Sequence, residues 1–118
     1  MAKTILIVED EVPIAKVLEK KLELAGYTVT VAGDGQQALT LLATTSYDLV
    51  LLDLLMPEVD GWEVLTQLKG KGQRVVVTSN LGQQEDIVKA TSLGALDFLV
   101  KSNTPLSEIV SKVAAYTK

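Results

Sequence analysis

The stretch Leu49-Val-Leu-Leu-Asp53-Leu-Leu-Met-Pro57-Glu-Val-Asp-Gly61 opens as a continuous apolar run and is broken by one carboxylate, Asp53. A short unbroken apolar run is the pattern of a strand buried on both faces, as in a parallel sheet. Three loop residues separate Asp53 from Pro57, and a helical pattern opens beyond it. An ionised side chain at the end of a buried strand loses hydration and must be paired. The rest of the chain therefore has to supply both the neighbouring strands and the partners of Asp53.

Upstream, Lys3-Thr-Ile-Leu-Ile-Val8 reads as a short strand ending in three acids, Glu9, Asp10 and Glu11. Pro13 sits near a helix start, where its missing N–H does no harm. Ala15, Leu18, Leu22 and Ala25 then share one helical face, with Glu19, Lys20 and Glu23 opposite, and Gly26 ends the helix. Tyr27-Thr-Val-Thr-Val31 alternates, which predicts a half-buried strand near a sheet edge. Gly33-Asp-Gly35 reads as a turn, and Ala38, Leu41 and Leu42 mark a second helix.

Downstream, Trp62, Leu65 and Leu68 space a third helix closed by Gly70 and Gly72. Arg74-Val-Val-Val-Thr-Ser79 is a fourth strand, followed by a helix from about Gln83 to Leu93 with Ile87, Ala90 and Thr91 facing inward. Leu96-Asp-Phe-Leu-Val100 is a fifth strand and delivers Lys101. Pro105 opens the last helix, in which Leu106, Ile109, Val110, Val113 and Ala114 keep a 3-4 spacing. Five strand–helix pairs with short loops predict an α/β fold, a five-stranded parallel sheet with helices on both faces. No linker or repeat interrupts the pattern, so one domain over residues 1–118 is expected.

Composition narrows the chemistry. A net charge of −4 with no basic stripe argues against nucleic-acid binding. There is no cysteine and no histidine, which removes disulfides, thiolate metal sites and histidine bases. No apolar run approaches a membrane span and the N-terminus lacks a signal-peptide pattern, so a cytoplasmic protein is expected.

In a parallel sheet every strand ends on the same edge, where ligands bind. Strand one brings Glu9, Asp10 and Glu11 there, strand three Asp53, strand four Thr78 and Ser79, and strand five Lys101. Each alone has a structural explanation, such as helix capping for an aspartate. Together they form an acid cluster that repels itself unless a cation neutralises it. Oxygen donors alone select a hard divalent ion, Mg²⁺ rather than Zn²⁺. Mg²⁺ beside a carboxylate, a hydroxyl and a lysine makes a phosphoryl-transfer site, with Asp53 as nucleophile and its carboxylate left accessible.

The quoted signatures Ile5-Leu-Ile-Val-Glu-Asp-Glu11, Asp53-x-x-Met56-Pro57-x-x-x-Gly61, Val-Val-Val-Thr-Ser79 and Asp97-Phe-Leu-Val-Lys101 are similar, in order and over the full length, to the receiver domain of two-component response regulators. The resemblance implies a doubly wound, flavodoxin-like (βα)5 fold with strand order 2-1-3-4-5. It implies that Asp53 accepts a phosphoryl group from a histidine kinase or phosphotransfer protein. Glu9, Asp10, Asp53 and the backbone carbonyl of Leu55 would hold Mg²⁺, and Lys101 would pair with the phosphoryl group. Ser79 takes the place of the switch hydroxyl and Phe98 that of the switch aromatic, with output through the face of the fourth helix, fifth strand and fifth helix. Such a domain is a phosphoacceptor rather than a turnover enzyme. Ser102 stands where the family usually carries proline after a cis peptide. A non-proline cis bond costs roughly 3 kcal/mol, so this loop can be trans and differently placed, and the sequence leaves the isomer open. Leu55 and Leu81 replace polar residues that often position water, which implies slow self-dephosphorylation.

Three other functions compete. A phosphatase of the haloacid-dehalogenase type needs a second aspartate two residues after Asp53, and Leu55 is there. A flavin mononucleotide carrier would meet Glu9, Asp10 and Glu11, which repel phosphate. A receiver-fold interaction module that works without phosphorylation is opposed by the intact Asp10, Asp53, Ser79 and Lys101.

Overall fold

The two side-chain periods of the sequence, 2 in strands and 3.6 in helices, sort its apolar residues onto the two faces of one sheet. The computed structural model describes residues 2–56 and 59–118. Its strands are β1 (Thr4–Val8), β2 (Thr28–Ala32), β3 (Leu49–Leu52), β4 (Val75–Ser79) and β5 (Asp97–Val100). Between and after them run α1 (Val12–Leu24), α2 (Gly35–Thr44), α3 (Gly61–Leu68), α4 (Gln84–Ser92) and α5 (Leu106–Tyr116). All neighbouring strands are parallel, in the order β2-β1-β3-β4-β5. This is the doubly wound, flavodoxin-like arrangement, and β2 is an edge strand as its alternation predicts.

Alternate strand residues build two cores. Leu6, Val8, Val50, Leu52, Val75 and Val77 face one way, onto Ala38 of α2, Val64, Leu65 and Leu68 of α3 and Ala90 of α4. Ile5, Ile7, Leu49, Leu51, Val76 and Leu99 face the other, onto Leu18 and Leu22 of α1 and Ile109 and Val113 of α5. Truncating a fully buried leucine or isoleucine among them, such as Leu6, Leu52 or Ile5, to alanine costs about 2–5 kcal/mol. The aliphatic packing thus makes the sheet a rigid mount for whatever its edge carries.

Some local readings change. Gly35 is not part of a turn but the first residue of α2, because Asp34 caps that helix by accepting the Gln37 N–H at 2.8 Å. Thr91 is exposed and its hydroxyl bonds back to the Ile87 carbonyl, while Ala90 is the buried residue of α4. Ala25 and Ala114 are also exposed. Pro57, the residue beyond which the third helical pattern opens, lies outside the described residues.

Candidate functional site

β1 and β3 pair with Val8 beside Leu52, so the following residues, Glu9 and Asp53, leave the sheet side by side. The backbone continues the ladder to that point: the Glu9 N–H donates to the Ala32 carbonyl at 3.1 Å and the Asp53 N–H to the Val8 carbonyl at 3.0 Å. β2 lies on one side of β1 and β3 on the other, so this edge is the topological switch point where open α/β sheets bind ligands.

Asp53 is 3% exposed and Glu9 4%. Charges this buried need counter-charges and donors. Lys101 supplies the charge: its ammonium lies 3.1 Å from Asp53 Oδ2 and also bonds Glu9 Oε1. Backbone groups satisfy the remaining oxygens. The Leu55 N–H donates to Asp53 Oδ1 and the Glu11 N–H to Glu9 Oε2, each at 3.2 Å. The accessible Asp53 carboxylate expected from the sequence is therefore not what the fold presents. Lys101 closes over it, because two adjacent buried acids attract its ammonium.

The electrostatics follow from burial. Desolvation, reinforced by the neighbouring Asp53, raises the Glu9 pKa to about 7 even though Lys101 bonds it. Burial alone would lower the Lys101 pKa, but its hydrogen bond to Glu9 and the charges of Asp53 and Glu9 outweigh that and raise it. Lys101 stays a cation.

Asp10 is half-buried beside this pair. Among the described residues, Glu9, Asp10 and Asp53 each bring a carboxylate oxygen within 4.8 Å of the others. This all-oxygen, anionic donor set fits Mg²⁺.

Ser79 ends β4, is fully buried, and its Oγ accepts the Leu81 N–H at 3.3 Å. The register sets it beside Val100, the residue before Lys101. Phe98 lies across from Val77 and packs half-buried against the core under α3 and α4. Lys101 begins a single 3₁₀ turn, Lys101–Asn103, and the Thr104 hydroxyl donates to the Val100 carbonyl at 2.8 Å. No peptide bond among the described residues is cis, Lys101-Ser102 included.

Gly61 is a residue whose site role the sequence does not announce. A Cβ there would lie 2.2 Å from the Asp53 carbonyl oxygen, so only glycine lets α3 start against the backbone of Asp53. Its N–H donates to the Leu54 carbonyl at 3.1 Å. Its place in the Asp53 motif is the only sequence signal for it. The Lys101–Glu9 bond, between residues 92 apart in the chain, has none.

The strand order and its helices are those of a receiver domain. Residues 5–114 match the response regulator receiver domain, and the chain belongs to that family. It is 43% identical over 99 residues to the probable transcriptional regulatory protein SilR of Salmonella typhimurium, covering 82% of this chain and 43% of that protein. It is 36% identical over 117 residues to the alkaline phosphatase synthesis transcriptional regulatory protein PhoP of Bacillus subtilis, covering 98% and 48%. The chain thus spans less than half the length of these relatives. Among solved structures, the receiver domain of the Francisella response regulator 1452 superposes with a TM-score of 0.91 at 30% identity, over 98% of this chain and 96% of that one. The Thermotoga maritima response regulator TrrA, in complex with Mg²⁺-BeF, superposes at 0.85 with 29% identity, over 97% and 98%. Among the described residues no helix is long and apolar enough to cross a membrane.

Proposed function

We propose that this domain, spanning residues 1–118, accepts a phosphoryl group on Asp53 from the phosphohistidine of a histidine kinase or phosphotransfer protein in the cytoplasm. One observation carries the reading: Asp53 sits at the switch point, bonded to Lys101 and within 4.8 Å of the carboxylates of Glu9 and Asp10. A carboxylate oxygen of Asp53 attacks phosphorus; the P–O bond forms as the P–N bond breaks, and the electron pair leaves on the imidazole nitrogen. Lys101, already donating to Asp53 Oδ2, pairs with the transferred phosphoryl oxygens. Glu9, Asp10, Asp53 and the Leu55 carbonyl would hold Mg²⁺, which when bound neutralises charge on the transferring group. The complex of TrrA with Mg²⁺-BeF supports that assignment by likeness.

Ser79 is the hydroxyl that moves toward the phosphoryl group, and Phe98 the aromatic that responds. Output then passes through α4, β5 and α5, where Val88 of α4 is exposed, to a protein partner or a fused domain. The domain itself does not bind nucleic acid, in keeping with its charge of −4.

The test is incubation with a small-molecule phosphodonor and Mg²⁺, followed by intact mass measurement. One phosphoryl adduct is expected in the wild type and none in Asp53→Asn. No adduct, or one that persists in Asp53→Asn, would overturn the assignment, and multiple turnover with phosphate release would favour a phosphatase.

A further inference from the structure

Two helices begin with the same pair of residues, Asp34-Gly35 at α2 and Asp60-Gly61 at α3. In each the aspartate caps the helix, accepting the Gln37 N–H at 2.8 Å or the Glu63 N–H at 3.0 Å. Both glycines are buried. A Cβ on Gly61 would strike the Asp53 carbonyl, as described above. A Cβ on Gly35 would lie 2.0 Å from the Val59 carbonyl oxygen, 2.8 Å from its carbon and 2.9 Å from Val59 Cγ1. Asp53 and Leu54 are therefore held under Gly61, and Val59 is pressed against Gly35.

We infer that Gly35 is a positioning residue for the metal and phosphoryl site: its bare Cα lets α2 brace the loop that carries the Leu55 carbonyl. The inference rests on the proposed function, because Leu55 matters through its carbonyl. A clash with backbone cannot be relieved by turning a side chain, so either α2 or the loop must move. α2 is held by its Asp34 cap and by Ala38, which is fully buried. The described residues of the segment between β3 and α3 have no regular secondary structure, and they reach the site through the Leu55 N–H to Asp53 Oδ1 and the Gly61 N–H to the Leu54 carbonyl. The loop yields. Leu55 then shifts relative to Asp53, although Gly35 lies on another helix and touches neither.

The experiment compares Mg²⁺ titration of Trp62 fluorescence and urea unfolding in wild type, Gly35→Ala and Gly94→Ala. Gly94 has φ 102° and open space where a Cβ would lie, so its alanine variant strains a backbone turn away from the loop. Gly35→Ala is expected to lose roughly 10-fold or more in Mg²⁺ affinity, the scale of losing an outer support of a metal ligand. Gly94→Ala should stay within about twofold of wild type, as for an independent site. Gly35→Ala binding Mg²⁺ as tightly as wild type overturns the inference and leaves the receiver reading intact. A wild type that does not respond to Mg²⁺ overturns both. If Gly35→Ala does not fold, wild-type amide spectra decide. Gly35 and Val59 resonances should shift with the same Mg²⁺ midpoint as Leu55, and resonances that stay fixed while Leu55 moves would overturn the brace.

Discussion

Lys101 Nζ stands 3.1 Å from Asp53 Oδ2 while also bonding Glu9, so one cation holds two buried carboxylates from different strands. The lysine is thus part of the folded core of the site as well as the proposed partner of a phosphoryl group. Replacing it with methionine leaves both acids without their counter-ion. Lys101→Met should lose roughly 2–3 kcal/mol in urea unfolding at neutral pH, less than a fully buried pair because Glu9, with its pKa near 7, can take up a proton. Added Mg²⁺ should recover most of the loss. An unchanged unfolding midpoint would show that the bridge contributes nothing.

Asp48 ties the starts of β1 and β3 together. Its Oδ2 accepts the Thr4 N–H at 2.7 Å and the Thr4 hydroxyl at 3.1 Å, and its own N–H donates to the Thr4 carbonyl at 2.9 Å. The bond from the Thr4 N–H, chiefly, holds its carboxyl below the usual 3.8. A depressed carboxylate pKa adds stability above the ordinary value and loses it as pH falls through the folded one. Asp48→Asn should therefore cost about 1 kcal/mol at neutral pH, with the gap to wild type closing in strong acid. Urea midpoints across an acid-to-neutral series measure it; a gap that stays constant with pH contradicts the assignment.

Lys89 of α4 sits over the Trp62 ring of α3, with Nζ 4.3 Å from the ring centre. Trp62 is the chain's single tryptophan, so its emission reports on this contact without ambiguity. Lys89→Met should shift the emission spectrum and cost about 0.5 kcal/mol, the scale of a surface cation–π pair. Identical spectra would mean that the cation does not sit on the ring in solution.

Leu55 is 52% exposed and Leu81 is half-buried next to Ser79, so neither offers a group to orient water at Asp53. Once phosphorylated, the domain should lose its phosphoryl group slowly. Leu81→Glu should shorten the lifetime on the order of 10-fold or more by adding a base for the attacking water. Mass measured over time after donor removal checks it, and equal lifetimes would dismiss the apolar shield.

Most of the site could be read before any folding because each chemical residue follows its own apolar run. Val8, Leu52 and Val100 are strand ends by local pattern, and Glu9, Asp53 and Lys101 follow them directly. Parallel topology then carries all three to one edge. Burial on the helices was less legible where a small or polar residue shared the inner spacing, as at Ala25, Thr91 and Ala114, which periodicity places inward and the fold leaves exposed. Gly35 misled for a related reason. After Gly33 and Asp34 it looks like turn chemistry, whereas its value lies in the Val59 backbone pressed against it, 24 residues away.

From sequence alone came the alternation of strand and helix, the parallel sheet and the identity of the oxygen donors and the lysine, since periodicity and strand ends are local properties. Only the tertiary structure decided that Lys101 lies on both Glu9 and Asp53, that it covers a carboxylate expected to be open, and that α2 leans on the loop after β3. Those are distances between residues remote in the chain. They depend on strand register, on the placement of loops and on how buried charges find the nearest counter-charge, and no local pattern encodes them.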